Sequence, residues 1–347
     1  MKKLSKTSRR NFLTYALVIL AFAILQSMSA AGAISSSLKG MLVPICAYVV
    51  MAISLNLTVG ILGELSLGHA GFMSVGAFTG VTAAVALQDT VSSAPLRLLI
   101  GMVVGAAFAA LAGFLIGIPV LRLKGDYLAI VTLAFGEIIK SIFNNLYVGV
   151  DAKGFHFSLL SDNTSLADGG KLIIAGPMGI GGIQKIATFT AGFLLVMVTL
   201  FVVFNLVNSR AGRAIMAIRD NRIAAESVGI NITKYKLMAF VLSAALAGAA
   251  GALYGLNFSS LQATKFNFNT SILILVFVVL GGLGNIWGSL IAAALLTVLP
   301  ELLRAFSDYR MLVYAIVLIL VMLATNNPTL KSWLSRLTGR GREKEAA

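Results

Sequence analysis

Few ionisable side chains interrupt the apolar runs of this sequence, and each raises a chemical question. Glu64 and His69 lie in the stretch Gly60-Ile61-Leu62-Gly63-Glu64-Leu65-Ser66-Leu67-Gly68-His69. Either they mark a functional path, because ionisable groups at membrane depth are costly and usually kept for use, or they reach an inner surface and are solvated. Glu137 and Lys140 are three residues apart, share a helix face and can pair. They read as a neutralised structural ion pair or as part of the same path. Asn56, Thr58, Ser66, Ser74, Thr132 and Asn144 can line a path or bridge helices. Covalent chemistry finds little support. There is no G-x-x-x-x-G-K-[ST] phosphate loop, no H-E-x-x-H and no serine elbow. His156 has no partner near it in sequence. Cys46, the single cysteine, permits no internal disulfide and gives no sign of metal binding. The expectation is a protein that is not an enzyme, with no metal and no cofactor of its own.

The elements that must carry these residues are hydrophobic helices. Of 347 residues, 58% are hydrophobic and 12% charged, and the mean hydropathy is +0.93. Soluble domains run near half apolar and a quarter charged. Crossing a bilayer core of ~30 Å takes ~20 apolar residues in a helix. A spanning segment must also satisfy its own backbone hydrogen bonds, which leaves helices or a closed barrel. These runs are apolar on all faces and lack the alternation of barrel strands. The expected fold is therefore an all-α, polytopic transmembrane helical bundle of about eight full spans plus a broken pair. The spans run Phe12 to Ala30, Met41 to Leu62, Leu67 to Leu87, Leu96 to Ile118, Tyr127 to Leu146, Ala187 to Val207, Leu237 to Leu256 and Tyr309 to Thr325. The first, with its basic tail and small residues Ser27-Met28-Ser29-Ala30, also resembles a secretory signal. The block Ser271 to Leu299 is interrupted by Gly281-Gly282-Leu283-Gly284-Asn285. It either enters and leaves on one side or forms two short tilted helices.

A net charge of +14 could suggest nucleic acid, but the positive charge is gathered in three places beside apolar spans. Lys2, Lys3, Lys6, Arg9 and Arg10 lead the chain. Arg210, Arg213, Arg219, Arg222, Lys234 and Lys236 share one loop. Lys331, Arg336, Arg340, Arg342 and Lys344 close it. That is the positive-inside pattern. It places basic tails 1–11 and 327–347 and the loop 208–236 in the cytoplasm, around a membrane domain 12–326, with Tyr147 to Ile186 outside. Gly63, Gly68, Gly282 and Gly284 support irregular backbone in the two breaks. The reason is either close packing through small residues or discontinuous helices facing a substrate path.

The loop is patterned as a helix: Asp220 or Asn221 can cap it, Arg222 and Glu226 are spaced to pair, and Gly229 is a natural stop. Its middle, with Ala224, Ala225 and Ser227, is small enough to seat in a groove of another protein; the alternative is an ordinary interfacial helix. Here the sequence resembles the permease subunits of ATP-binding-cassette importers for branched-chain amino acids, and most the longer of their two paired permeases. Those permeases carry E-A-A-x-x-x-G in an internal loop. The matching run is Ile223-Ala224-Ala225-Glu226-Ser227-Val228-Gly229, with Ile223 in place of the leading Glu. Gly212-Arg213-Ala214-Ile215, Ala217-Ile218-Arg219-Asp220-Asn221, Leu55-Asn56-Leu57, Gly63 to Ala70, Leu123 to Tyr127, Gly176 to Ile180 and Gly281 to Asn285 add to the resemblance, which covers about Met41 to Thr325. It implies a second permease, two ATPase subunits that bind ATP and Mg, an external amino-acid-binding protein, membrane lipid around the spans and no nucleic acid. It implies a bacterial plasma (inner) membrane. It gives Arg219, Asp220, Arg222, Ala224, Ala225, Glu226 and Gly229 a coupling role. The candidate path is Asn56, Gly63, Glu64, Ser66, Gly68, His69, Glu137, Gly282, Gly284 and Asn285. Rival readings are a secondary transporter driven by an ion gradient, which also uses broken helices, and a passive channel.

Overall fold

The computed structural model describes residues 6–32, 35–123, 125–151, 154–159 and 170–303, with isolated positions between 309 and 319. Lys2, Lys3, the tail 327–347 and most of the expected span Tyr309 to Thr325 lie outside the described residues. Two units divide the chain, Met1–Ala294 and Leu295–Ala347.

Helices dominate the first unit: α1 (Lys6–Ala30), α2 (Ser36–Asn56), α3 (His69–Ala86), α4 (Ala94–Val120), α5 (Asp126–Asn145), α6 (Phe189–Asn208), α7 (Arg210–Asp220), α8 (Arg222–Ser227), α9 (Ile232–Gly255), α10 (Phe268–Gly281) and the start of α11 (Ile286–Leu302). The second unit carries the remainder of α11. Local chemistry sets the starts. Ser35, Thr188, Ser209, Asn221, Asn231 and Asn267 each accept an N–H three residues on, capping α2, α6, α7, α8, α9 and α10.

Among the described residues, five helices are long and apolar enough to cross a membrane: α2 with its continuation to Leu62, α3, α4, α6 and α9. Thr14–Ala30, α10 and α11 are shorter apolar helices. The expected count of about eight full spans therefore reduces to a multi-pass helical protein. The broken block is indeed two short helices, and the residues that part them are 282–285.

At the heart of the first unit α3, α4 and α9 pack almost backbone to backbone. A Cβ on Gly76 would fall 2.1 Å from the Gly248 carbonyl oxygen, and one on Gly251 would fall 2.0 Å from that of Met73. Small residues at helix contacts are how membrane helices gain packing when lipid is as apolar as leucine. In contrast, α4 turns Val103, Phe108, Leu111 and Leu115 outward. That surface would be costly in water and is at no disadvantage against lipid tails.

One expectation needs correcting. The segment expected as a plain external loop in an all-α protein holds a three-stranded antiparallel sheet, ordered β2-β1-β3, from β1 (Leu146–Asp151), β2 (Gly154–Leu159) and β3 (Lys171–Ala175). Its strands carry alternating β-branched and aromatic residues such as Val148, Val150, Phe157, Ile173 and Ile174, a pattern too short to register against the apolar runs around it. Across β1 and β2, His156 meets Asp151 at 3.0 Å, so it has the partner that its sequence neighbourhood hid. Ile180 pairs with Leu261, joining the segment to the chain that follows α9.

Candidate functional site

The loop between α6 and α9 and the two glycine breaks come together at one end of the first unit. After Asn56, α2 widens into a π-helical turn over Leu57–Leu62. Gly63 closes it at φ +82°, in the left-handed region that glycine enters at little cost. The N–H groups of Gly63 and Glu64 both return to the Thr58 carbonyl. Non-helical chain then leads to α3.

The second break reaches this turn directly. Asn56, fully buried, accepts from the Gly284 N–H through Oδ1 at 2.8 Å and donates through Nδ2 to Ser289 Oγ at 2.9 Å. A Cβ on Gly60 would lie 1.9 Å from Asn56 Oδ1 and 2.2 Å from the Gly284 nitrogen, so only glycine fits. Gly282 and Gly284 both have positive φ, and α10 and α11 touch at Gly281 and Gly288.

Arg219, near the end of α7, joins the loop to both breaks. Its Nη1 donates to the Gly60 carbonyl at 3.0 Å, and its stem packs against Gly63. Its Nε and Nη2 donate to Asp220 Oδ1 at 3.1 and 3.0 Å. A polar cleft of about 510 Å³ opens here, lined by Gly63, Glu64, Gly125, Arg219, Asp220 and Lys236 among others. Glu64 and Lys236 form a largely buried ion pair across it.

Deeper in, two helices begin part-way along α5. Gly125, just before α5, lines the cleft, and Glu137 is eleven residues into the helix, about 16 Å from its start at 1.5 Å per residue. There Leu67 N donates to Thr132 Oγ1 at 3.0 Å, Ala70 N to Ser271 Oγ at 3.1 Å and Phe268 N to Glu137 Oε1 at 3.0 Å. The N-termini of α3 and α10 thus meet part-way along α5, beside Glu137 and Lys140, which pair with each other. The hydroxyls of Thr58 and Ser66 are buried with no hydrogen-bond partner.

Several expectations change. His69 is not solvated, and Glu64 is largely buried at the edge of the cleft. Glu64 is held by Lys236, and His69 is buried with Nε2 2.8 Å from Ser54 Oγ. Gly68 lies in non-helical chain without left-handed backbone, and a Cβ there would fall 1.9 Å from the Thr132 carbonyl oxygen. In the loop, Asn221, one of the two caps expected, caps α8, accepting from Ala224 N at 3.0 Å. Arg222 and Glu226 are both exposed and make no ion pair with each other. Ala225 does not face outward: it is buried against Ile218 and Ile232, with Ile230 and Tyr235 alongside. Gly229 stops the helix as expected, at φ +83°, with its own N–H on the Glu226 carbonyl and that of Ile230 on Ala225. Sequence reasoning passed over Gly60, Lys236, Ser54, Ser271 and Ser289. Only Lys236 and Gly60 left a trace, one within the basic cluster and the other opening the glycine-rich stretch.

A model of the family "Branched-chain amino acid transport system / permease component" matches residues 37–322. The chain belongs to that family. Among similar permeases, the high-affinity branched-chain amino acid transport system permease protein LivM of Salmonella typhimurium is 35% identical over 296 residues, 80% of this chain and 66% of that protein. LivM of Escherichia coli is 36% identical over 287 residues, again 80% and 66%. The fructose import permease protein FruG of Bifidobacterium longum is 27% identical over 67% of each chain. The match spans just under two thirds of the two LivM proteins. No solved structure matches this permease.

Proposed function

We propose that this chain is a membrane-spanning subunit of an ATP-driven importer, moving branched-chain or related hydrophobic amino acids inward across a bacterial plasma membrane. The permease carries out no covalent step. A second permease completes the pathway, two ATPase subunits bind ATP and Mg on the cytoplasmic face, and an external binding protein delivers the amino acid. Both tails are cytoplasmic, and the sheet segment is external.

The observation that carries this reading is α8. It is six residues long, capped at both ends, and braced by its own small core around Ala225. Outward it presents Ile223 and Val228, 81% and 75% exposed, beside Ala224 and Glu226. Apolar side chains on a rigid helix in a charged, non-spanning loop fit a partner's groove. The ATPase is the partner proposed for it. Substrate would pass near the starts of α3 and α10, where Ser66, His69 and Glu137 lie; broken helices with polar ends at depth suit this use. Asn56, Gly282, Gly284 and Asn285 hold the inner end of that route.

The test is co-purification of the chain with an ATPase, followed by reconstitution in vesicles. Hydrolysis stimulated by amino acid and loaded binding protein, together with uptake, is the expected outcome. Uptake that follows an imposed proton or sodium gradient without any ATPase would overturn the importer reading in favour of a secondary transporter.

A further inference from the structure

The loop is joined to the helix breaks by one side chain. Arg219 lies one residue before the end of α7 and two residues before the cap of α8. Its guanidinium spends one nitrogen on the Gly60 carbonyl and the other two on Asp220. That carbonyl belongs to a π-turn, where the regular helical ladder is interrupted. Gly60 in turn touches the Gly284 backbone, which Asn56 holds at 2.8 Å. The positions on both sides of this contact are glycines, so the backbones meet directly, with the side chains of Asn56 and Arg219 beside them. A shift of α8 can therefore reach the first break through this charge-assisted hydrogen bond, and the second through the Gly60–Gly284 contact, beside the packing of Ala225 on Ile232 at the start of α9.

We infer that Arg219 is the positioning residue that transmits movement of the α7–α8 loop to the two broken helices, locking the π-turn to the α10–α11 turn in one state and releasing it in the other. The inference rests on the importer reading. It requires the fork of arginine: Nη1 on the turn while Nε and Nη2 stay on Asp220, which a lysine cannot reproduce. Arg219 makes its side-chain hydrogen bonds to Gly60 and Asp220 and none to α8, so its loss should leave the helix that presents Ile223 and Val228 in place.

The test uses the full complex in a Cys46→Ala background, with an environment-sensitive thiol probe on Leu283→Cys at the exposed tip of the second break. With Arg219 intact, ATP and loaded binding protein should change the probe signal. In Arg219→Gln the ATPases should still co-purify, but the signal change and the coupled uptake should fall by roughly tenfold, about what a hydrogen bond to a charged group is worth. Arg219→Lys, which keeps the charge and one donor and so protects against a variant that fails to fold, should recover part of the response. A wild-type response in either variant overturns the inference while leaving the importer reading standing. If the probe shows no ATP-dependent change even with Arg219 present, the inference falls. Failure of the chain to bind any ATPase would instead bring down the importer reading, and this inference with it.

Discussion

Glu64 and Lys236 come from distant parts of the chain and neutralise one another where each alone would be a buried charge. The cost of such a pair lies mainly in breaking it. Removing one partner strands the other, typically at about 3–5 kcal/mol, whereas replacing both by apolar groups of similar shape is often neutral. Glu64→Gln and Lys236→Met should each lower the thermal midpoint of the detergent-solubilised protein markedly, and the double variant should recover much of that loss. Additive single effects would argue that the two act separately. Gly229 poses a different residue-scale question, since a Cβ there meets nothing within 4 Å. Only its left-handed backbone resists substitution, at roughly 1–2 kcal/mol for an ordinary side chain. Gly229→Asn should therefore be milder than Gly229→Ala, and Gly229→Val the worst, in ATPase activity stimulated by binding protein. Wild-type activity in all three variants would mean that the end of α8 is not under constraint.

At the scale of elements, α7 and α8 form a small folded unit on the first-unit surface, and the two faces of α8 do different work. Ala225 faces inward, so Ala225→Trp overfills the loop's own core at ~1–3 kcal/mol before any partner is met. It should lower stability in the isolated chain. Ile223→Ser with Val228→Ser touches only exposed side chains and should leave the thermal midpoint near wild type while weakening capture of the ATPase, measured by co-purification. Equal capture by that double variant would move the docking face elsewhere. The starts of α3 and α10 show a related economy. Each begins part-way along α5, and Thr132, Ser271 and Glu137 supply acceptors for N–H groups at these starts.

For the whole molecule, the arrangement of charge sets the orientation. The cleft with Arg219, Arg222 and Lys236 lies at the end of the first unit where the basic loop sits, and the positive-inside rule predicts that this end is cytoplasmic. Single cysteines in a Cys46→Ala background check this. Leu172→Cys on β3 should react with an impermeant thiol reagent in intact cells. Ser227→Cys on α8 and Thr338→Cys in the basic tail should react only after permeabilisation. Labelling of the last from outside would reverse the sidedness of the tail.

The apolar runs determined by themselves that this chain is a multi-pass helical membrane protein, because ~20 apolar residues per crossing is a local requirement that no distant contact can undo. The short motif around Ala224 and Gly229 was equally local. A cap at Asn221 and a left-handed stop at Gly229 need only neighbours in sequence, and both are as the residues foretold. Tertiary structure decided what long-range pairing controls. That Glu64 is held by Lys236, that Ala225 faces inward, that Gly60 meets Gly284, and that α3 and α10 start side by side could not be read from spacing. Each depends on which helices pack together, and small residues such as Gly76, Gly248 and Gly251 permit that packing without naming their partners. Glycine reports that something comes close; only the folded chain reports what.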